Sequence, residues 1–261
     1  MIPKIIHYVW IDNNPYPDKI KECVDSWHRY LPEYEFILWD RKKILEINQP
    51  FPTQAIEMKK WAFAADFTRL YALNKYGGIY LDTDVQVFKS FNSLLNYDCF
   101  IGREKWLHIH NDKIEYYLTS HCFGAIPNHP FIKRCLDYYW NRNFILSDDK
   151  TLPEHLRVDL TIIPYILSEF AKEFGYISVP SHAKKQELKN NIGVFPYNFF
   201  DCNEITNETY CKHFCMGSWR NKELYSKPES KTSLNYKLKY NVNRYLRKIA
   251  NHYNYLLIKK P

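Results

Sequence analysis

The stretch from Lys60 to Phe88, KWAFAADFTRLYALNKYGGIYLDTDVQVF, predicts both an α/β fold and the place of its chemistry. Its first part belongs to a predicted helix from Ala55 to Tyr76, which the Gly77-Gly78 pair ends as a cap and turn. The apolar run Ile79 to Leu81 then predicts a strand that leads into Asp82-Thr83-Asp84. Carboxylates two residues apart point to the same side of a strand, where they suit a hard divalent cation and a diphosphate.

A charged pair precedes this strand. Asp66 and Arg69 lie three residues apart in the predicted helix, so their side chains share one face. One interpretation is a surface ion pair, worth less than about 1 kcal/mol. The other is a buried pair with a structural or ligand role. The apolar neighbours Phe63 to Leu70 favour the second interpretation, because a charge among them needs a partner.

The start of the chain predicts a βαβ arrangement, with strands at 5–10 and 36–39 and a helix at 18–31 between them. Further strands are predicted at 97–103 and 120–126, helices at 130–143 and 161–174, and a polar loop at 144–160. Trp10 ends the first strand. Ligands of open α/β sheets bind beyond the carboxyl ends of strands, so Trp10 is placed to stack on a base. A core tryptophan is an equally good interpretation.

Composition indicates an ordinary globular chain of 261 residues, with 46% hydrophobic and 25% charged residues. Seven cysteines with no C-x2-C pair give no disulfide framework, which favours a reducing cytosol. We find no signal peptide and no apolar stretch of the roughly 20 residues that span a bilayer. We therefore expect a cytoplasmic protein that does not cross a membrane.

The net charge of +7 is concentrated in the last part of the chain. We expect a catalytic domain at residues 1–220 and a basic helical appendage at residues 221–261. Apolar residues recur among lysines and arginines from Leu234 to Ile258, as in a basic amphipathic helix. This helix binds an anionic membrane surface or packs on the core, and both interpretations stay open. No nucleic-acid-binding motif accompanies the charge, so we expect no nucleic acid.

The segment Tyr210 to Trp219, YCKHFCMGSW, is the last informative one. Alternation in an extended segment places Cys211, His213 and Cys215 on one side, which raises the question of zinc. Structural zinc sites usually have paired spacings and four clear ligands, so zinc is disfavoured. The turn at 216–219 can offer a hydroxyl, backbone N–H groups and an indole to a phosphate.

Three segments resemble motifs of the DXD-containing sugar transferases of glycosyltransferase family 32, in the family's order. They are PKIIHYVW (3–10), FAADFTRLYALNKYGGIYLDTDV (63–85) and YCKHFCMGSW (210–219). The family includes bacterial capsule and surface-polysaccharide enzymes and is related to the glucosylating domains of large clostridial toxins. The resemblance implies a GT-A fold, a Rossmann-like α/β domain with a mixed central sheet flanked by helices. It also implies a nucleotide-sugar donor and a divalent cation, manganese before magnesium.

The resemblance implies a role for each donor-site residue that matches. Trp10 would stack on the nucleobase, and Asp66 with Arg69 would hold the donor's sugar. Asp82 would contact ribose and sugar hydroxyls. Asp82 and Arg69, together with Asp84, are the predicted catalytic residues.

The resemblance also implies a metal and diphosphate site. Asp84 would be the direct metal ligand and His213 a second one. Ser218 and Trp219 would close over the diphosphate. The family commonly has another histidine directly after the first, and that position here is Phe214.

The implied reaction is retaining transfer of a hexosyl unit from a nucleoside diphosphate sugar, with UDP expected, to a glycan hydroxyl. Capsular or surface polysaccharide, or a lipid-linked oligosaccharide, would be the acceptor. A haloacid dehalogenase-type phosphatase is an alternative, because it also has DxDx[TV] after an apolar strand, with Asp82 as nucleophile and Asp148-Asp149 as the acidic pair. A glycan-binding protein without turnover is a third hypothesis.

Overall fold

The structure is a computed structural model that describes residues 1–12, 14–110, 113–201 and 204–216. In these ranges the strands are β1 (Ile5–Val9), β2 (Glu35–Trp39), β3 (Gly78–Leu81), β4 (Val85–Val87), β5 (Cys99–His110), β6 (Lys113–Ala125), β7 (Gln186–Leu188), β8 (Ile192–Phe195) and β9 (Cys211–His213). The α-helices are α1 (Asp18–Tyr30), α2 (Arg41–Glu46), α3 (Pro50–Glu57), α4 (Trp61–Tyr76), α5 (Pro130–Tyr139), α6 (Glu154–Arg157) and α7 (Ile163–Glu173).

Seven of the described strands form one mixed sheet in the order β2-β1-β3-β6-β5-β8-β7. Strands β2, β1 and β3 are parallel to one another, whereas β6 is antiparallel to both of its neighbours, β3 and β5. A mixed central sheet flanked by helices confirms the predicted α/β fold class. The parallel half places the ends of β1 and β3 at one edge, where ligands bind in such sheets.

The side chains of β3 alternate between two hydrophobic cores, one on each face of the sheet. Tyr80 belongs to the core formed with α3, α4, α5 and α7. Ile79 and Leu81 belong to the other core, together with Trp27 of α1. All four residues of β3 are buried. The strand that leads to Asp82 is therefore held from both sides.

Helix α4 is buried around most of its circumference, with ten of its sixteen residues buried, Asp66 and Arg69 among them. The interpretation of this pair as a surface ion pair is therefore wrong. The single predicted helix from Ala55 to Tyr76 is also wrong. Helix α3 ends at Glu57, and Lys59 adopts a left-handed conformation with φ 56° before α4 begins at Trp61.

The Gly77-Gly78 pair ends α4, as predicted, and starts β3. Both glycines have positive φ, 65° and 103°, a region that glycine enters without steric cost. A Cβ atom on Gly78 would lie 2.6 Å from the carbonyl oxygen of Ile5. Glycine therefore allows β3 to pack closely beside β1.

A buried histidine links the glycine turn to the first two strands. Nε2 of His7 donates a hydrogen bond to the carbonyl oxygen of Gly77 at 2.8 Å, and Nδ1 accepts one from Nε1 of Trp39 at 3.2 Å. Burial lowers the pKa of His7 to about 4, although the hydrogen bond to Gly77 opposes this shift. His7 is thus neutral at physiological pH, with both ring nitrogens satisfied.

Other predicted elements differ from the structure in length. The predicted strands at 97–103 and 120–126 are parts of a long hairpin, β5 and β6. The predicted loop at 144–160 contains α6 and a bridge between Ile145 and Val158. No helix among the described residues is both long and apolar enough to cross a membrane. The predicted appendage at 221–261 lies outside the described residues.

Candidate functional site

The two aspartates of the DXD sequence lie in a turn at the end of β3. The strand ends at Leu81, and the N–H of Val85 donates to the carbonyl oxygen of Asp82 at 3.0 Å. The expectation that Asp82 and Asp84 belong to one extended strand is therefore wrong. The turn nevertheless brings both carboxylates to the same place, because β4 starts directly after it.

A buried guanidinium joins the helix pair to the DXD turn. Nη2 of Arg69 lies 2.9 Å from Oδ1 of Asp66 and 3.4 Å from Oδ1 of Asp82. Nη1 of Arg69 donates to the carbonyl oxygen of Ser120 at 2.6 Å. The hydroxyl of Tyr80 donates to Oδ1 of Asp82 at 2.8 Å, and its ring lies 4.6 Å below the guanidinium. The predicted residues Asp66, Arg69 and Asp82 thus form one network.

The charge balance of this network is one guanidinium against two carboxylates. Burial raises the pKa of Asp66 to about 7, an effect that Arg69 opposes and Asp82 increases. The pKa of Arg69 is raised despite its burial, chiefly by the Asp82 carboxylate. Arg69 therefore stays charged, and the carboxyl group of Asp66 titrates near neutral pH.

Asp84 is paired with a residue from the end of the described chain. Strand β4 pairs with β9, and this pairing places Val85 opposite His213. Nε2 of His213 lies 3.0 Å from Oδ1 of Asp84. The other carboxylate oxygen, Oδ2, accepts a hydrogen bond from the N–H of Met216 at 2.8 Å. Asp84 is therefore held through one oxygen while the other faces the imidazole.

Both partners in this pair have shifted pKa values. Burial alone would raise the pKa of Asp84, but the hydrogen bond and charge of His213, together with the N–H of Met216 and the nearby His121, outweigh it and lower that pKa. Burial would lower the pKa of His213, yet the hydrogen bonds with Asp84 and Cys215 and the charges of Asp84 and Asp82 together hold it well above the ordinary value. Asp84 and His213 thus form an ion pair, and His213 must release its Nε2 proton before the two residues can hold a cation.

Ligand atoms of Asp82, Asp84 and His213 all lie within 4.8 Å of one another. Carboxylate oxygens and an imidazole nitrogen are a donor set that suits Mn²⁺ and, less well, Mg²⁺. The residues present therefore fit a divalent cation. The structure brings together the two predicted ligands, Asp84 and His213, and adds Asp82, which the sequence assigned to the sugar and ribose.

Trp10 follows β1 at the same edge of the sheet as the DXD turn. Its indole is partly exposed, donates from Nε1 to the carbonyl oxygen of Asn14 at 3.0 Å and meets the Tyr16 ring edge-on at 4.9 Å. A fully buried core tryptophan is thus not what the structure shows. Base stacking by Trp10 stays a prediction. Ser218 and Trp219, the predicted diphosphate contacts, lie outside the described residues.

The segment around β9 does not have the geometry considered for zinc. Cys211 is buried, and its thiol donates to the carbonyl oxygen of Phe200 at 3.5 Å. Beyond His213 the chain is no longer extended, because Cys215 has φ 51°. The extended part of the segment ends at His213, and the group of potential metal ligands among the described residues contains neither Cys211 nor Cys215.

Sequence reasoning missed two residues of this site. Tyr80 holds Asp82, and its position two residues earlier in an alternating strand was a signal for that contact. His121 is not singled out by any sequence pattern, yet its ring stacks on that of His213 at 4.3 Å. Burial keeps the pKa of His121 well below its ordinary value, so it is neutral beside the charged His213. No local pattern reveals His121, because its place depends on the pairing of β6 with β3.

The phosphatase alternative gains nothing from this arrangement. Its nucleophile would be Asp82, whose Oδ1 is held by both Arg69 and Tyr80. Its acidic pair would include Asp149, which instead accepts hydrogen bonds from Thr151 in an exposed turn. Among the described residues, the group of potential metal ligands at the DXD turn contains neither Asp148 nor Asp149.

The chain is similar to proteins whose names identify them as sugar transferases. Residues 17–101 match the family described as "Glycosyltransferase sugar-binding region containing DXD motif", and this region contains α4 and the DXD turn. The chain is 32% identical over 139 residues to inositol phosphoceramide mannosyltransferase 3 of Schizosaccharomyces pombe, covering 50% of this chain and 35% of that protein. It is 29% identical over 211 residues to inositol phosphoceramide mannosyltransferase 1 of the same yeast, covering 76% and 60%.

Among solved structures, a chain titled "PaToxG Glycosyltransferase" aligns with a TM-score of 0.44 and 21% identity, covering 66% of this chain and 69% of that one. The present chain spans 35% to 60% of the length of the two yeast relatives. The matched family and these named relatives are glycosyltransferases, the enzyme class that the sequence predicts. The two yeast relatives are eukaryotic, so the expected bacterial capsular role is not confirmed.

Proposed function

We propose that this protein is a metal-dependent glycosyltransferase that moves a hexosyl unit from a nucleoside diphosphate sugar to a hydroxyl group. The observation that carries the proposal is the group of Asp82, Asp84 and His213, which lies directly beside the buried Asp66 and Arg69 pair. The cation ligands suit the diphosphate of such a donor, and the buried charged pair beside them suits the sugar that the diphosphate carries. We expect a UDP sugar as the donor and test UDP sugars first and GDP sugars second.

The acceptor we propose is a glycan or a glycolipid headgroup. The names of the yeast relatives, inositol phosphoceramide mannosyltransferases, support a lipid-linked hydroxyl over a capsular polysaccharide. They equally support a hexose as the transferred unit. A cytoplasmic location and contact of the basic residues 221–261 with an anionic membrane surface remain part of the proposal.

The residues of the site divide the work between positioning and charge. A bound cation would neutralise the charge that develops on the diphosphate leaving group. Met216 fixes Oδ2 of Asp84, which leaves Oδ1 of Asp84 and Nε2 of His213, 3.0 Å apart, as the atoms that would hold the cation. Tyr80 and Arg69 hold Asp82 in the same way. Preorganised groups of this kind cost no reorganisation when the reaction occurs.

The sugar would lie against Asp66 and Arg69, whose polar atoms can meet its hydroxyl groups. Both Asp66 and Asp82 are bound to Arg69, and this argues against either of them as a covalent nucleophile. A retaining transfer would then proceed by front-face substitution, with the leaving phosphate helping to take the acceptor's proton.

The test is a panel of UDP and GDP sugars with Mn²⁺, Mg²⁺ or a chelator, measured by thermal stabilisation and slow donor hydrolysis. We expect at least one donor to stabilise the protein when Mn²⁺ is present and to be hydrolysed. Asp84→Asn should lower turnover about 100-fold or more, since the cation's stabilisation of the leaving group is worth several kcal/mol. Asp137→Asn, which changes an exposed aspartate paired with Lys133, is the matched control and should have no effect.

Two outcomes would contradict the proposal. Hydrolysis of a simple phosphomonoester without any nucleotide sugar would favour the phosphatase. Binding of glycans without binding or hydrolysis of any donor would favour a glycan-binding protein.

A further inference from the structure

We propose that Cys215 is a positioning residue for the cation site, because its thiol holds the His213 ring so that Nε2 faces Asp82 and Asp84. The inference rests on the proposed function, since it assumes that these three residues bind a divalent cation. Cys215 lies two residues after His213 in a turn that follows β9.

The imidazole of His213 is held on three sides. Its Nδ1 lies 3.3 Å from Sγ of Cys215, and its Nε2 lies 3.0 Å from Oδ1 of Asp84. One face of the ring stacks on His121 at 4.3 Å, with an angle of 26° between the planes. The thiol and the carboxylate thus occupy opposite nitrogens of the same ring. Cys215 therefore acts on the nitrogen that does not face the cation.

The backbone of the same turn holds the other ligand. Cys215 adopts a left-handed conformation, φ 51°, which is uncommon for a residue with a side chain. On either side of it, the N–H of Phe214 donates to the carbonyl oxygen of Asp84 at 3.0 Å, and the N–H of Met216 donates to Oδ2 of Asp84 at 2.8 Å. The turn therefore orients Asp84 and His213 together, and strained backbone of this kind often lies at functional sites.

The chemistry of a ligating histidine explains why the thiol matters. A histidine that binds a cation through Nε2 is neutral and carries its proton on Nδ1. That N–H needs an acceptor, which fixes both the tautomer and the ring orientation. The sulfur of Cys215 is at the right place to accept it, as a weak acceptor. Loss of such a partner typically lowers metal affinity 10-fold to 100-fold.

The thiol is also accessible to reagents. Among the cysteines that the structure describes, Cys215 is exposed, and the other five are buried: Cys23, Cys99, Cys122, Cys135 and Cys211. A thiol reagent applied to the folded protein should therefore modify Cys215 before these five. Alkylation of the folded wild-type protein therefore tests the role of Cys215 without a substitution that could impair folding.

The experiment measures Mn²⁺ affinity of the full chain without donor, from the electron paramagnetic resonance signal of free Mn²⁺. We expect Cys215→Ala to weaken Mn²⁺ binding 10-fold to 100-fold, whereas Cys215→Ser, whose hydroxyl can accept the same hydrogen bond, stays within about threefold of wild type. Nitrogen NMR of the histidine rings with Mg²⁺ should show the His213 proton on Nδ1 in wild type and in Cys215→Ser.

A second arm guards against a folding defect in Cys215→Ala. Alkylation of folded wild type with N-ethylmaleimide should weaken Mn²⁺ binding as much as the alanine variant does, while alkylated Cys215→Ser keeps its affinity. Equal affinity in wild type and Cys215→Ala would overturn the inference. So would equal loss in the alanine and serine variants, because the sulfur itself would then be the ligand.

The two proposals fail differently. If wild type does not bind Mn²⁺, or if Asp84→Asn binds it as well as wild type, the cation site is wrong and the role of Cys215 is wrong with it. If Asp84→Asn loses Mn²⁺ while Cys215→Ala keeps it, the proposed cation site stands and the positioning role alone is wrong.

Discussion

Replacing Arg69 by methionine should destabilise the protein strongly, even without cation or donor. The substitution removes the guanidinium that lies 2.9 Å from Asp66 and 3.4 Å from Asp82, and it removes the hydrogen bond to Ser120. Breaking a buried ion pair by removing one partner typically costs about 3–5 kcal/mol, because the remaining charge has no compensation. At about 2–4 °C per kcal/mol for a chain of this size, the melting temperature should fall by about 6–20 °C.

The assay is urea unfolding and thermal melting in the presence of a chelator. Arg134→Met is the matched control, since Arg134 pairs with Glu173 at 3.1 Å on the surface, where both side chains are more than 40% exposed. An exposed pair of this kind is worth less than about 1 kcal/mol.

A second substitution, at Asp66, tests whether an uncompensated charge causes the loss of stability in Arg69→Met. Its pKa is already raised to about 7 by burial, and the loss of Arg69 should raise it further. Asp66→Asn should therefore recover part of the stability in the Arg69→Met background, by a coupling of about 0.5–3 kcal/mol. The reasoning would be refuted if Arg69→Met were no more destabilising than Arg134→Met, or if Asp66→Asn gave no recovery.

Three further predictions concern stability and are measured by urea unfolding. When the pH falls from 7.5 to 5, the free energy of unfolding of wild type should decrease by about 2 kcal/mol through His7. The pKa of His7 is about 4 in the folded protein and 6.5 in the unfolded chain, so the unfolded chain takes up the proton first and stability falls. His7→Gln should lack this decrease. An equal dependence of the unfolding free energy on pH in wild type and His7→Gln would contradict the prediction. Gly78→Ala should lower the free energy of unfolding by about 1–3 kcal/mol more than Gly175→Ala does. Both glycines have φ near 100°, but of the two only Gly78 would bring a Cβ atom to 2.6 Å from a carbonyl oxygen. Equal losses of stability in the two variants would show that this contact relaxes. Tyr139→Phe should be neutral or stabilising by up to about 1 kcal/mol, because the buried hydroxyl has no hydrogen-bond partner among the described residues; a clear loss would reveal a partner.

The sequence predicts the DXD region well because its signals are local. A glycine pair and an apolar run within a few residues decide a turn and the strand that follows it, whereas the two carboxylates were expected on that strand and lie in the turn after it. The pairing of Asp66 with Arg69 also follows from helical spacing. What the local pattern could not give is the second carboxylate partner of Arg69, Asp82, since that contact joins the helix to the end of the next strand.

The rest of the site depends on pairing between distant segments. His121 reaches the site because β6 runs antiparallel to β3, which places Cys122 opposite Leu81. His213 reaches it because β9 pairs with β4. Local periodicity carries no information about such partners. The same limit explains the break at Lys59, where apolar spacing suggested one continuous helix and a single left-handed residue divides it.

The small sheet of β4 and β9 also sets when the site can exist during synthesis. Asp84 and Met216 lie 132 positions apart, so their contact closes a long loop and is entropically costly. The two aspartates emerge from the ribosome well before His213 and Met216, and a nascent chain that stops between them has carboxylates without their imidazole and amide partners. Completion of the ligand set therefore coincides with the arrival of the segment at 211–216. A divalent cation would bind chains that have been made at least that far, and its uptake would distinguish them from prematurely terminated ones.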